Sequence, residues 1–111
     1  MAEYLLSEHY KDPSAVIVGT VLEEHLRHLC QKNSIPVDTA KPDGSIVPLK
    51  ADSLNGELAR ANIYSKLDQK SVTAWLDLRN KAAHGKYGEY TEPQVQFMLQ
   101  AVSEFIARTP L

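Results

Sequence analysis

Apolar residues recur at three- and four-residue intervals along most of this chain, the spacing that gathers them on one face of an α-helix. The clearest stripe is Ala15, Val18, Val21, Leu22, Leu26 and Leu29. It predicts a long helix running to about Lys32. Asp12 followed by Pro13 supplies a start signal: an oxygen acceptor at the cap, then a proline whose missing N–H costs nothing in the first turn. Gly19 interrupts the stripe at a cost of about 1 kcal/mol relative to alanine, which a close crossing by another helix would account for. Ahead of this helix, residues 2–10 read as a shorter one, with Tyr4, Leu5 and His9 on neighbouring turns. Asn33-Ser34-Ile35-Pro36 ends the main helix.

Between Ile35 and Lys50 the periodicity lapses, with Pro36, Pro42, Asp43-Gly44 and Pro48 breaking any regular pattern. The apolar Ile46, Val47 and Leu49 suggest a lid folded over one end of the core. Helical spacing returns with Leu54, Leu58 and Ala61, for which Asp52 or Ser53 is the expected cap. Tyr64 and Leu67 follow, and Asp68 is the expected cap of the next helix, lined by Val72, Trp75, Leu76, Arg79 and Ala83. Its apolar neighbours assign Trp75 to the core rather than to a stacking platform. Thr91 and Gln94 have the spacing of a capping box, ahead of a last apolar face of Val95, Met98, Val102, Phe105 and Ile106. The pattern as a whole predicts an all-α fold. Its form is a compact up-and-down bundle of four to five helices in one domain over residues 1–111, with a long loop after the main N-terminal helix.

Composition narrows the function classes. At 111 residues, 43% hydrophobic and 23% charged, the chain has the make-up of an ordinary globular domain. Its formal charge of -2 excludes a polycation, so any nucleic-acid contact must come from a local basic patch. Cys30 is the single cysteine, so no intrachain disulfide forms and a reducing, cytoplasmic setting is expected. The acidic start Met1-Ala2-Glu3-Tyr4-Leu5-Leu6-Ser7-Glu8 argues against a signal peptide. The run Ala15 to Leu22 is far shorter than the roughly 20 residues of a membrane span.

The most chemically suggestive stretch is Leu76-Asp77-Leu78-Arg79-Asn80-Lys81-Ala82-Ala83-His84-Gly85. An apolar helix delivers an arginine, an asparagine and a histidine to its own end, and Gly85 stands where a helix commonly turns with positive φ. An imidazole with a pKa near 6.5 suits proton transfer at neutral pH, and a guanidinium fork matches the non-bridging oxygens of a phosphate. Asn80 and His84 share a helix face, whereas Arg79 and His84 point about 140° apart on an ideal helix. Convergence therefore calls for an unwound helix end or a second copy of the chain, whose approach the small Ala82 and Ala83 would permit. Lys81, Lys86 and Tyr87 flank the stretch as candidate phosphate and base contacts. The plainer reading pairs Arg79 with Asp77, Glu89 or Glu92 and leaves His84 as a favourable cation at a helix C-terminus. Glu24, His25, His28 and Cys30 spread over too wide an arc of one helix to ligate a metal. Glu23 with Arg27, and Glu24 with His28, have the four-residue spacing of ion pairs on an exposed face.

Arg79-Asn80-Lys81-Ala82-Ala83-His84 resembles the Arg-polar-(three residues)-His signature of the HEPN superfamily of helical nucleotide-binding domains. The run Val18-Gly19-Thr20-Val21-Leu22-Glu23-Glu24-His25-Leu26-Arg27 is similar to the first core helix in a subset of that family. The resemblance implies a homodimeric, metal- and cofactor-independent endoribonuclease. Its composite site would use Arg79 and His84 as catalytic groups and Asn80 in support. It further implies an RNA substrate, a role in antiviral defence or a toxin–antitoxin system, and an antitoxin or regulatory protein as partner. The alternative within the same family is a non-catalytic module for dimerisation or for binding a nucleotide or protein.

Overall fold

A computed structural model describes Ala2 and residues 11–111. The helix expected over residues 2–10 lies, apart from Ala2, outside the described residues. Among the described residues four α-helices carry the architecture: α1 (Lys11–Lys32), α2 (Ala51–Arg60), α3 (Lys66–Ala83) and α4 (Glu92–Arg108). Two three-residue strands, β1 (Asp38–Ala40) and β2 (Ile46–Pro48), lie between α1 and α2, and a single 3₁₀ turn (Tyr87–Glu89) lies between α3 and α4. The fold is all-α in its core, as the periodicity predicts. Helix α1 packs against each of the other three, whereas α3 and α4 touch sparingly. It is the post around which the bundle is arranged.

The core is built from the apolar stripes. Val18, Leu22, Leu26 and Leu29 of α1 meet Leu54 and Leu58 of α2, Val72 and Leu76 of α3, and Met98, Val102 and Phe105 of α4. Phe105 is the hub: His25, Tyr64 and Trp75 set their rings edge-on to it at centroid distances of 6.2, 5.3 and 5.8 Å. Edge-to-face pairing at these distances favours ring quadrupoles as well as burying area. Trp75 is only half-buried, and Val21 lies half exposed on the outer edge of its stripe.

Helix ends correct several expectations. Asp12 lies inside α1, which is already helical at Lys11, and its carboxylate accepts the Tyr90 hydroxyl. Helix α2 starts after Lys50 with no side-chain cap, so neither Asp52 nor Ser53 caps it. Ser65, not Asp68, caps α3, accepting the Asp68 N–H at 3.1 Å. The capping box of α4 forms as expected, with Thr91 Oγ1 accepting from the Gln94 N–H and Gln94 Oε1 from the Thr91 N–H.

The segment expected as an irregular lid is a β-hairpin in the register Asp38↔Pro48, Thr39↔Val47 and Ala40↔Ile46. Gly44 at its tip has a φ of +89°, which glycine adopts without strain. Asp43 braces the turn by accepting the Ser45 N–H and hydroxyl at 2.9 and 2.6 Å. Ile35, Val37 and Leu49 at the hairpin's base pack on the core, while Ile46 is exposed. Only the base covers the bundle. No helix among the described residues is long and apolar enough to cross a membrane.

Candidate functional site

The end of α3 is a closed local unit. His84 is its C-cap, and Gly85 follows with a φ of +76°. The Lys86 N–H bonds the Lys81 carbonyl at 2.8 Å and the Gly85 N–H bonds the Ala82 carbonyl at 3.4 Å, the paired pattern of a Schellman motif. Gly85 does what the sequence reading expects of it.

Arg79 emerges where α3 crosses α1. A methyl group added at Gly19 would lie 2.0 Å from Arg79 Cγ, so the glycine is the space through which the arginine passes. The close crossing inferred from Gly19 is thus a crossing with α3. Beyond it, Arg79 Nη1 bonds Glu23 Oε1 at 3.0 Å and Nε bonds Asn80 Oδ1 at 3.0 Å. The pairing with Asp77, Glu89 or Glu92 expected on local grounds gives way to Glu23, 56 residues away. Glu23 also accepts from Arg27 Nη2 at 3.4 Å, as its spacing suggests. Arg27 in turn donates to the carbonyls of Val37 and Leu49 at 3.3 and 3.1 Å. One polar chain therefore joins the base of the hairpin, α1 and the motif.

These side chains border a cleft of about 340 Å³ lined by Glu23, Lys50, Ala51, Asp52, Leu76, Arg79, Asn80 and His84. All three candidate catalytic residues of one chain meet there. Arg79 and His84, about 140° apart on an ideal helix, both border this cleft, His84 from the cap position at φ -96° and ψ 12°. Glu23, Lys50 and Asp52 are the members that sequence reasoning missed. A signal for Glu23 existed, since it lies four residues after Gly19 and hence on the same face. Lys50 and Asp52 come from the junction of hairpin and helix, where periodicity carries no information.

The flanking residues are placed differently. Lys81 bonds Asp77 at 2.9 Å, a contact that raises its pKa. It lines a separate apolar groove of about 410 Å³ with Trp75, Leu78, Tyr90, Phe97 and Met98 among others. Lys86 precedes the 3₁₀ turn, and Tyr87 is half exposed, with its carbonyl accepting from Lys11 Nζ at 2.7 Å. None of the three lines the cleft. His25 is buried and bonded to Thr109 Oγ1 at 2.9 Å, burial lowering its pKa, and Cys30 is buried in the core, where its thiol pKa is raised. Compared with protein-family models, with curated proteins and with solved structures, the chain matches none.

Proposed function

We propose that the chain is a metal-independent endoribonuclease of HEPN type, with the cleft between α1, α2 and α3 as its active site. The observation that carries this reading is the meeting of Arg79, Asn80 and His84 on one open cleft. His84 removes the proton of an RNA 2′-hydroxyl, whose oxygen attacks the adjacent phosphorus and displaces the 5′-oxygen of the next nucleotide; that oxygen takes a proton from water, and His84 releases its own to solvent. Arg79, held by Glu23 and Asn80, faces the charge that builds on the non-bridging oxygens. The protein acts as a homodimer in this proposal. Since one chain supplies all three groups, the second copy adds to the site rather than creating it. RNA is the substrate, defence or a toxin–antitoxin system the setting, and an antitoxin or regulatory protein the partner.

A second reading, a non-catalytic binding module, is favoured by one observation: the Arg79 guanidinium already has a carboxylate partner in Glu23. RNA incubated with the purified protein in chelator separates the two. The expected products carry a 2′,3′-cyclic phosphate and a 5′-hydroxyl, DNA stays intact because it lacks the nucleophile, and His84→Ala slows cleavage by roughly 10²–10⁴-fold. Cleavage that stops in chelator, or that leaves a 5′-phosphate, overturns the ribonuclease mechanism.

A further inference from the structure

The cleft does not end at the motif. Asp52 and Asn80 also line a second depression of about 350 Å³, completed by Lys70, Thr73, Ala74 and Asp77. Lys70, Thr73, Asp77, Asn80 and His84 succeed one another at intervals of three or four residues, so they form one stripe along α3, about 21 Å long at 1.5 Å per residue. Charges along this trough fall into two kinds. Arg79 is paired with Glu23, and Asp77 with Lys81. Lys50 in the cleft and Lys70 in the adjoining depression make no ion pair among the described residues.

We infer that this stripe is the path of the RNA strand beside the cut, with Lys50 contacting a phosphate next to the scissile one and Lys70 a phosphate further along. The inference rests on the ribonuclease reading and assigns the strand's contacts to these two lysines in place of Lys81 and Lys86. An ammonium without a protein partner exchanges only water and counterions for phosphate, whereas Lys81 must first give up Asp77. Asp52 stands in both depressions, where its carboxylate accepts hydrogen bonds from a 2′-hydroxyl or an exocyclic base amine. Such donors distinguish RNA from a plain polyanion.

The test is fluorescence anisotropy with a labelled single-stranded RNA of about 12 nucleotides, within the usual range of single-strand site sizes. The His84→Ala full chain is used in chelator so that binding is read without cleavage. Lys50→Ala and Lys70→Ala, each added to that background, should weaken binding severalfold and flatten the slope of log K against log salt by about 0.7. Lys81→Ala and Lys86→Ala should bind as their parent does, and inorganic polyphosphate should compete poorly. Equal weakening by all four lysine changes, no weakening by Lys50→Ala and Lys70→Ala, or no binding by the parent overturns the path. If wild-type protein cuts RNA while the two lysine variants bind normally, the path falls and the ribonuclease reading stands. If the binding pattern holds and nothing is cut, the reverse is true.

Discussion

At its N-terminal end, α3 is tied into the bundle by polar side chains that satisfy one another. At its C-terminal end, side chains of the same kinds also bond one another, but they border an open cleft. Asn55, 2% exposed, donates to the Gln69 carbonyl at 3.0 Å and to Thr73 Oγ1 at 3.1 Å, and accepts the Tyr64 hydroxyl at 2.6 Å. That asparagine uses its hydrogen-bonding capacity on the fold, clamping α2 to α3. Asn80, two turns past Thr73 on the same helix, uses its oxygen on Arg79 and lines a cleft instead. The contrast teaches that residue type does not separate structure from function in this helix. What separates them is whether the polar network closes on itself out of water.

The comparison can be broken most forcefully at the aromatic hub beside the closed end. Phe105→Ala removes the ring that Tyr64, Trp75 and His25 share. It should cost about 3–5 kcal/mol, a large part of a small domain's stability, read as a fall in the denaturation midpoint. Next comes Gly19→Ala, whose methyl group has no room beside Arg79. Overpacking should cost about 1–3 kcal/mol and, by pushing Arg79 from Glu23, should lower cleavage as well. Gly56→Ala is its control: nothing lies within 4 Å of the added methyl group, so removing a helix-interior glycine should stabilise by about 0.5–1 kcal/mol. A Gly19→Ala protein with unchanged midpoint and activity would show that α3 and α1 do not cross so tightly.

Asn55→Ala and Asn80→Ala compare the two ends directly. The first removes the three side-chain hydrogen bonds by which Asn55 ties α2 to Gln69, Thr73 and Tyr64 and should cost about 1–3 kcal/mol. The second should leave the melting curve in place and act on cleavage alone. Equal melting shifts would erase the distinction. The smallest effect concerns Asp68, whose pKa is lowered chiefly by its hydrogen bonds from Arg108. A carboxylate depressed in the folded state stabilises above its ordinary pKa of 3.8, and that contribution is lost as pH falls through the lower, folded-state value. Because Arg108 is nearly half exposed, solvent screening holds the contribution to about 0.5 kcal/mol or less. Asp68→Asn should remove part of the acid sensitivity of the midpoint, and high salt should mask the change.

What the sequence discloses about this molecule follows the range of the interactions involved. The stripes of α1 and α4, the Thr91–Gln94 box and the turn at Gly85 all depend on neighbours within one or two helical turns, and each is legible from spacing. The caps at Lys50 and Ser65 were obscured by other acceptors nearby: Asp52, Ser53 and Asp68 have the right chemistry two or three residues too late. The hairpin hid behind its prolines, since strands of three residues are too short to display alternation. Within the site, Arg79, Asn80 and His84 were visible as a motif. The carboxylate that holds Arg79 was not, because a contact spanning 56 positions is set by how α1 and α3 cross and not by either helix alone. Lys81 misled for a different reason: it pairs with Asp77, four residues back on its own helix, and lines a different groove.

Arg27 grips the carbonyls of Val37 and Leu49, one on each side of the hairpin, and so closes its two legs where they leave the bundle. Everything beyond that clasp, from Asp38 to Pro48, is an appendage with an exposed tip at Asp43-Gly44, where nothing among the described residues lies within 4 Å of a methyl group added at Gly44. Loop tips of this kind tolerate inserted sequence, and a closed base keeps the added length from loosening the helices it springs from. The hairpin is therefore a port: an epitope, a fluorophore-bearing peptide or a whole guest domain spliced between Asp43 and Gly44 would ride on the molecule with the cleft undisturbed beneath it.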